Sequence, residues 1–177
     1  MDFEQVFTYA WKAPEEERPY VLSAAYEPTG AGAGGPRRWL LLAALPDFSE
    51  FLAFDDAAHA REFARAVLGL PLTPEPYERE LHLSESRTRT LLSGPATEVR
   101  SAGLSVGRDP TDGLRAYFAY QSYYAFPGEP QYAALGLEVV CEDVDVPRAH
   151  AEARALLEAL DASGADAAGP GGPDPAP

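Results

Sequence analysis

One stretch of thirteen residues, 114–126, constrains the possible fold more than any other part of the chain. It reads Leu-Arg-Ala-Tyr-Phe-Ala-Tyr-Gln-Ser-Tyr-Tyr-Ala-Phe. Successive side chains on a β-strand point to opposite faces. With that period, Leu114, Ala116, Phe118, Tyr120, Ser122, Tyr124 and Phe126 share one side, which is largely apolar. Arg115, Tyr117, Ala119, Gln121, Tyr123 and Ala125 share the other. The stretch is therefore expected to be a strand of a packed sheet. Its second face is expected to be a contact surface, because Tyr and Arg give large, fairly rigid contacts with polar tips. Arg115, Tyr117, Gln121 and Tyr123 are the candidate binding residues. If a second sheet covered that face instead, Tyr117 and Tyr123 would be core.

The length of 177 residues suffices for one full domain, and 46% hydrophobic content fits a globular chain. No apolar run reaches the roughly eighteen residues of a membrane span. The first residues, Met-Asp-Phe-Glu-Gln, lack the basic start and apolar run of a signal peptide. With one cysteine, Cys141, there is no internal disulfide. A cytoplasmic protein is expected. Abundant Ala, and Arg far in excess of Lys, fit a GC-rich bacterial genome.

The formal charge of −14 divides unevenly, at −6 for residues 1–60, 0 for 61–120 and −8 for 121–177. Such a field repels phosphate backbones and anionic membranes, and it favours a protein partner, a basic one where charge decides. Arg87, Arg89, Arg100, Arg108 and Arg115 fall in the balanced middle third, where a local basic strip could form.

From Asp161 onward, eight of seventeen residues are Gly or Pro and none is large and apolar. Residues 161–177 are therefore expected to be a disordered acidic tail. A second flexible stretch is expected at Gly30–Pro36. The remainder, 1–160, is expected to be a single α+β domain of two similar halves, about 1–70 and 77–160. Each half is read as an antiparallel four-stranded meander followed by one helix. Strands are expected at Phe3–Trp11, Tyr20–Glu27, Trp39–Leu45 and Glu50–Phe54, then at Tyr77–Ser84, Glu98–Gly107, Leu114–Phe126 and Tyr132–Glu142. Helices are expected at about Asp56–Leu68, capped by Asp55 or Asp56 and stopped at Gly69, and at about Pro147–Leu160. At an offset of ninety residues, Phe63, Ala66, Val67 and Leu70 fall on Ala153, Leu156, Leu157 and Leu160.

This order of elements resembles that of the Whirly and Pur-type single-strand nucleic-acid binders. The resemblance lies in element order alone, without a shared motif. It implies single-strand binding through duplicated sheet-plus-helix units, with Tyr117, Tyr123 and arginines stacking and contacting phosphate.

Two literal motifs lack their required context. Gly30, Gly32 and Gly35 satisfy G-x-G-x-x-G, but a strand follows where a dinucleotide site opens a helix. Gly103-Leu-Ser105-Val-Gly107 satisfies G-x-S-x-G, and Ser105, Asp143 or Asp145, and His150 fall in hydrolase order. The nucleophile elbow needs a helix after the serine, and the turn sequence Arg-Asp-Pro-Thr-Asp-Gly follows instead. His59 with Glu62 is a ligand-like helix pair, short of the three or four ligands zinc takes. Cys141 alternates with Leu135, Leu137 and Val139, so it is expected to be buried rather than nucleophilic. No catalytic residue, metal or cofactor is assigned. The expected function is a non-catalytic binding module of inhibitor, immunity or adaptor type that binds another protein. The alternatives are the single-strand binder, and a small-ligand protein or enzyme with a pocket between the halves.

Overall fold

A computed structural model describes residues 4–12, 20–26, 39–45, 48–53, 57–92, 94–128 and 133–167. It is α+β, with two antiparallel sheets and two helices. The first sheet contains β1 (Glu4–Trp11), β2 (Tyr20–Tyr26), β3 (Trp39–Leu45) and β4 (Phe48–Ala53), and α1 (Ala57–Leu68) follows. The second contains β5 (Tyr77–Leu91), β6 (Gly94–Arg108), β7 (Ala116–Ala125) and β8 (Ala134–Cys141), and α2 (Val146–Ala167) follows. Both sheets are meanders, with each strand hydrogen-bonded to its sequence neighbour. The expected helix cap at Asp55 or Asp56 and the glycine stretch 30–36 lie outside the described residues.

The two sheets differ in build. In the first sheet both faces of the middle strands are buried. Leu22, Ala24, Leu41 and Ala43 join the main core, while Ser23, Ala25 and Leu40 are buried on the opposite face. That accounts for the nearly continuous apolar run of β3, since a strand covered on both sides has no solvent face to make polar. The second sheet buries only its inner face. Ala116, Phe118 and Tyr120 on β7 lie beside Ala102, Leu104 and Val106 on β6, and beside Leu137, Val139 and Cys141 on β8. The alternation in residues 114–126 thus turns its apolar side inward.

Both helices and both inner faces belong to one apolar cluster, and a hollow of about 560 Å³ opens between α1 and β5, lined by Glu62, Arg65, Tyr77 and Arg79. Phe7 meets Phe63 of α1 edge-to-face, with ring centroids 4.9 Å apart. Tyr9 meets Phe118 edge-to-face at 5.2 Å, joining first sheet to second. Such pairs add about 0.5–1.5 kcal/mol beyond area burial. The helix residues matched at the ninety-residue offset are buried or, for Leu157, partly buried. The two helices pack on each other.

The last helix reaches back to the first strand. The Thr8 amide donates to Glu152 Oε2 at 3.3 Å, and the Asp145 amide donates to Tyr9 Oη at 2.7 Å. The Arg148 guanidinium lies 4.7 Å from the Tyr9 ring centroid. Asp145 caps the helix, because its Oδ1 accepts the Arg148 amide at 3.1 Å. The helix runs seven residues past Leu160, where the sequence predicts a disordered tail to begin, and Asp161 pairs with Arg61 of α1. Alanine is the strongest helix former, so Ala-rich residues 161–167 continue a helix already nucleated by packing.

Two more boundaries differ from expectation. β5 and β6 are fifteen residues each, paired from Tyr77↔Arg108 to Leu91↔Gly94, where the sequence predicts a connection between Ser84 and Glu98. In β8 a register shift sets Gln121↔Glu138 beside Tyr123↔Leu135. The Ser122 hydroxyl accepts the Leu137 amide at 3.0 Å, which satisfies a buried donor at that irregularity.

Candidate functional site

The face of the second sheet turned away from the core is open. Cross-strand register places its side chains in rows. Glu78, Gly107 and Tyr117 form one row, and Glu80, Ser105, Ala119 and Val140 the next. His82, Gly103, Gln121 and Glu138 follow, then Ser84, Ser101, Tyr123 and Leu135. Tyr123 is 47% exposed, Leu135 50% and Val140 44%. Tyr117 and Gln121 are half-buried by their neighbours on the sheet.

The four residues expected to bind therefore separate. Gln121 and Tyr123 stand together in the middle of the face. With His82, Ser101 and Gly103 they line a shallow trough of about 310 Å³. Tyr117 lies about 20 Å from Tyr123, six residues along an extended strand. Its ring crosses the neighbouring strand at Gly107, where an added Cβ would sit 2.7 Å from its hydroxyl. It lines a second hollow with Pro76, Glu78 and Arg108. Burial raises the Tyr117 pKa first, and the nearby charges of Glu78, Asp109 and Glu80 raise it further.

Arg115 is held elsewhere. It precedes β7, and its guanidinium reaches Asp112 Oδ1 at 2.6 Å, Asp143 Oδ2 at 3.4 Å and Glu142 Oε2 at 3.7 Å. The Asp112 hydrogen bond, then the surrounding carboxylates, hold its pKa above the usual value. Its flanks are strained, with Leu114 at φ 61° and its partner Asp143 at φ 55°. The Arg108 guanidinium steadies this turn by donating to the Leu114 carbonyl at 2.7 Å and to the Pro71 carbonyl. Arg115 thus ties the entry of β7 to the loop before α2.

Three other arginines of the balanced middle third do not join the face. Arg87, Arg89 and Arg100 lie on the opposite side of the long hairpin, paired with glutamates. Glu85 bridges Arg87 at 2.7 Å and Arg100 at 3.1 Å, and Glu98 holds Arg89 at 2.8 Å. The open face itself carries Glu78, Glu80 and Glu138. On this face Glu80 Oε2 lies 3.7 Å from His82 Nε2.

The residues singled out for other chemistry stand apart from one another. Ser105 is mid-strand, opposite Glu80 and Ala119, and the chain leaves Arg108 for a short 3₁₀ turn, Pro110–Asp112, rather than a helix. His150 is buried on α2, with Nε2 3.0 Å from the Leu70 carbonyl. Cys141 is buried, and burial pushes its thiol up to about 12. Among the described residues no three His, Cys, Asp or Glu side chains converge as a metal would require.

Sequence reasoning missed Glu78, Glu80, His82, Leu135 and Glu138 as members of the face. The signal was present on β5, where Glu78, Glu80, His82 and Ser84 alternate with Arg79, Leu81 and Leu83. On β8 the register shift moves Leu135 onto the face, and strict alternation does not predict that. Compared with the known protein families, with curated proteins and with solved structures, the chain matches none.

Proposed function

We propose that this protein is a non-catalytic binding module that engages another protein, a basic one, through the open face of its second sheet. Inhibitor, immunity and adaptor proteins work in this way. The observation that carries the reading is the character of that face. Tyr123 and Leu135 stand exposed side by side, Glu138 lies in the adjoining row, and Glu80 and Glu78 lie two and three rows along the same face, none with an Arg or Lys partner among the described residues. An exposed aromatic–aliphatic pair with carboxylates along the same face suits a protein interface. Its sign matches a basic partner and repels phosphate.

Two further readings belong to this proposal. The repeated order of four strands and a helix reflects two related halves, the first given over to packing and the second to display. The setting is cytoplasmic, where a lone buried thiol such as Cys141 stays reduced. Among the described residues, no helix is long and apolar enough to cross a membrane.

The test is affinity capture from the native host with wild type and with Tyr123→Ala, followed by identification of bound proteins. Tyr123 is exposed, so its truncation should leave the thermal midpoint within the range of surface changes, about ±0.5 kcal/mol. The expected result is a discrete protein retained by wild type and lost by the variant. Equal capture by both would contradict the proposal. So would single-stranded oligonucleotide binding tighter than about 10⁻⁶ M at about 0.15 M salt that Tyr117→Ala and Tyr123→Ala weaken, and the nucleic-acid reading would then replace it.

A further inference from the structure

We propose that the trough over Gly103 seats the guanidinium of an arginine in a basic segment of the partner. This rests on the protein-binding reading of the same face and adds a residue-level identity to it. The floor is open because Gly103 has no side chain, and an added Cβ would meet nothing nearer than Glu80 Oε1 at 3.8 Å. One wall is β5, with Glu80 and His82, and the other is β7, with Gln121 and Tyr123. The volume of about 310 Å³ is at the small end of ligand clefts, roughly 300–1,000 Å³, and suits one long side chain rather than a large ligand.

The chemistry of the walls selects guanidinium over ammonium. The Glu80 carboxylate and the Gln121 amide oxygen are acceptors on opposite sides, and the exposed Tyr123 ring borders the same space. A planar cation with five forked donors can hydrogen-bond to both walls while stacking on an aromatic face. An ammonium is a point charge that gains mainly the carboxylate. Glu138 lies one strand beyond Gln121, and Glu78 one row beyond Glu80. Further basic residues on the same segment would meet a carboxylate on either side of the seat.

The experiment is a titration of the full, isotope-labelled chain with two octapeptides, one alternating Gly and Arg and the other alternating Gly and Lys. Amide shifts are followed by NMR. The Arg peptide is expected to shift Gly103, Gln121 and Tyr123, and to bind about fivefold tighter than the Lys peptide. Gly103→Val, which fills the trough without changing charge, is expected to weaken it about fivefold, and Glu80→Gln to weaken it comparably. Should Gly103→Val fail to fold, Gly103→Ala and Glu80→Gln carry the same comparison. Equal affinity for the two peptides would overturn the proposal, as would shifts centred elsewhere or indifference to these substitutions. Partner capture separates the two levels. If only the seat is wrong, capture remains sensitive to Tyr123→Ala and ignores Gly103→Val. If the face itself is wrong, capture ignores both.

Discussion

Gly69 shows how one residue type can be required for a reason other than backbone angle. It ends α1, yet it does not adopt the left-handed conformation that usually explains a glycine there. The Tyr77 hydroxyl occupies the space a Cβ would need, and donates to the Ala66 carbonyl at 2.8 Å. Gly69→Ala must push the ring away and break that bond. It is expected to cost about 1–3 kcal/mol in urea unfolding, the usual range for overpacking. A neutral result would mean Tyr77 moves freely. Cys141 gives a second prediction. Its thiol is raised from 9.0 to about 12, and burial is the largest cause. Between those values the unfolded chain releases a proton that the folded chain retains. This stability is therefore fully present below pH 9.0 and lost as pH rises toward 12. Tyr9, Tyr77 and Tyr117 are raised for the same leading reason and act in the same direction. The urea midpoint should fall above pH 9.0, and less steeply in Cys141→Ala. A midpoint rising with pH in that window would contradict the assignment.

At the scale of elements, the long hairpin of β5 and β6 is both the largest surprise and the most testable feature. Its outer half reads Ser-Glu-Ser-Arg-Thr-Arg-Thr, polar at every position, so it carries no apolar alternation to mark a strand. What holds it is cross-strand pairing: Glu85 with Arg100, directly opposite, and Glu98 with Arg89, diagonally across. The Glu85 and Glu98 side chains are only 11% and 9% exposed, so these pairs are better shielded than most surface ion pairs. Glu85→Ala removes the carboxylate that bridges Arg87 and Arg100. It is expected to cost about 1–3 kcal/mol and to speed amide exchange from Ser84 to Arg100. Unchanged exchange there would show that backbone pairing alone suffices. The apolar-patterned elements, β1, β3, β7 and α1, were legible from sequence to within a residue or two, because burial wrote their period into the chain. Elements held by paired charges, or by helix propensity after the last core residue, left no such pattern. The second helix shows this past Leu160. Ending the chain there should cost at most about 1 kcal/mol, since Asp161 is exposed and its pair with Arg61 is of the surface kind.

Across the whole second sheet, charge is separated by face. Among the described residues, Arg87, Arg89 and Arg100 are drawn into pairs behind that sheet and Arg115 into the turn before β7, and the open face is left acidic. The sequence marked Gln121 and Tyr123 as part of that face because they alternate with core residues. It placed Arg115 there by the same parity, which the turn before β7 overrides. The acidic residues came from β5 and β8, which only tertiary pairing could place on the same face as Tyr123. The proposed role requires this face to meet a protein. The most direct measurement is site-specific photocrosslinking in the native host, with a photoreactive residue at position 123 and a control at Leu72, exposed on the loop before β5. The expected result is a protein adduct of discrete mass at 123, absent at 72, and weakened when Glu78, Glu80 and Glu138 are changed together to Gln. Adducts only to nucleic acid, or a protein adduct equally strong at both positions, would contradict it.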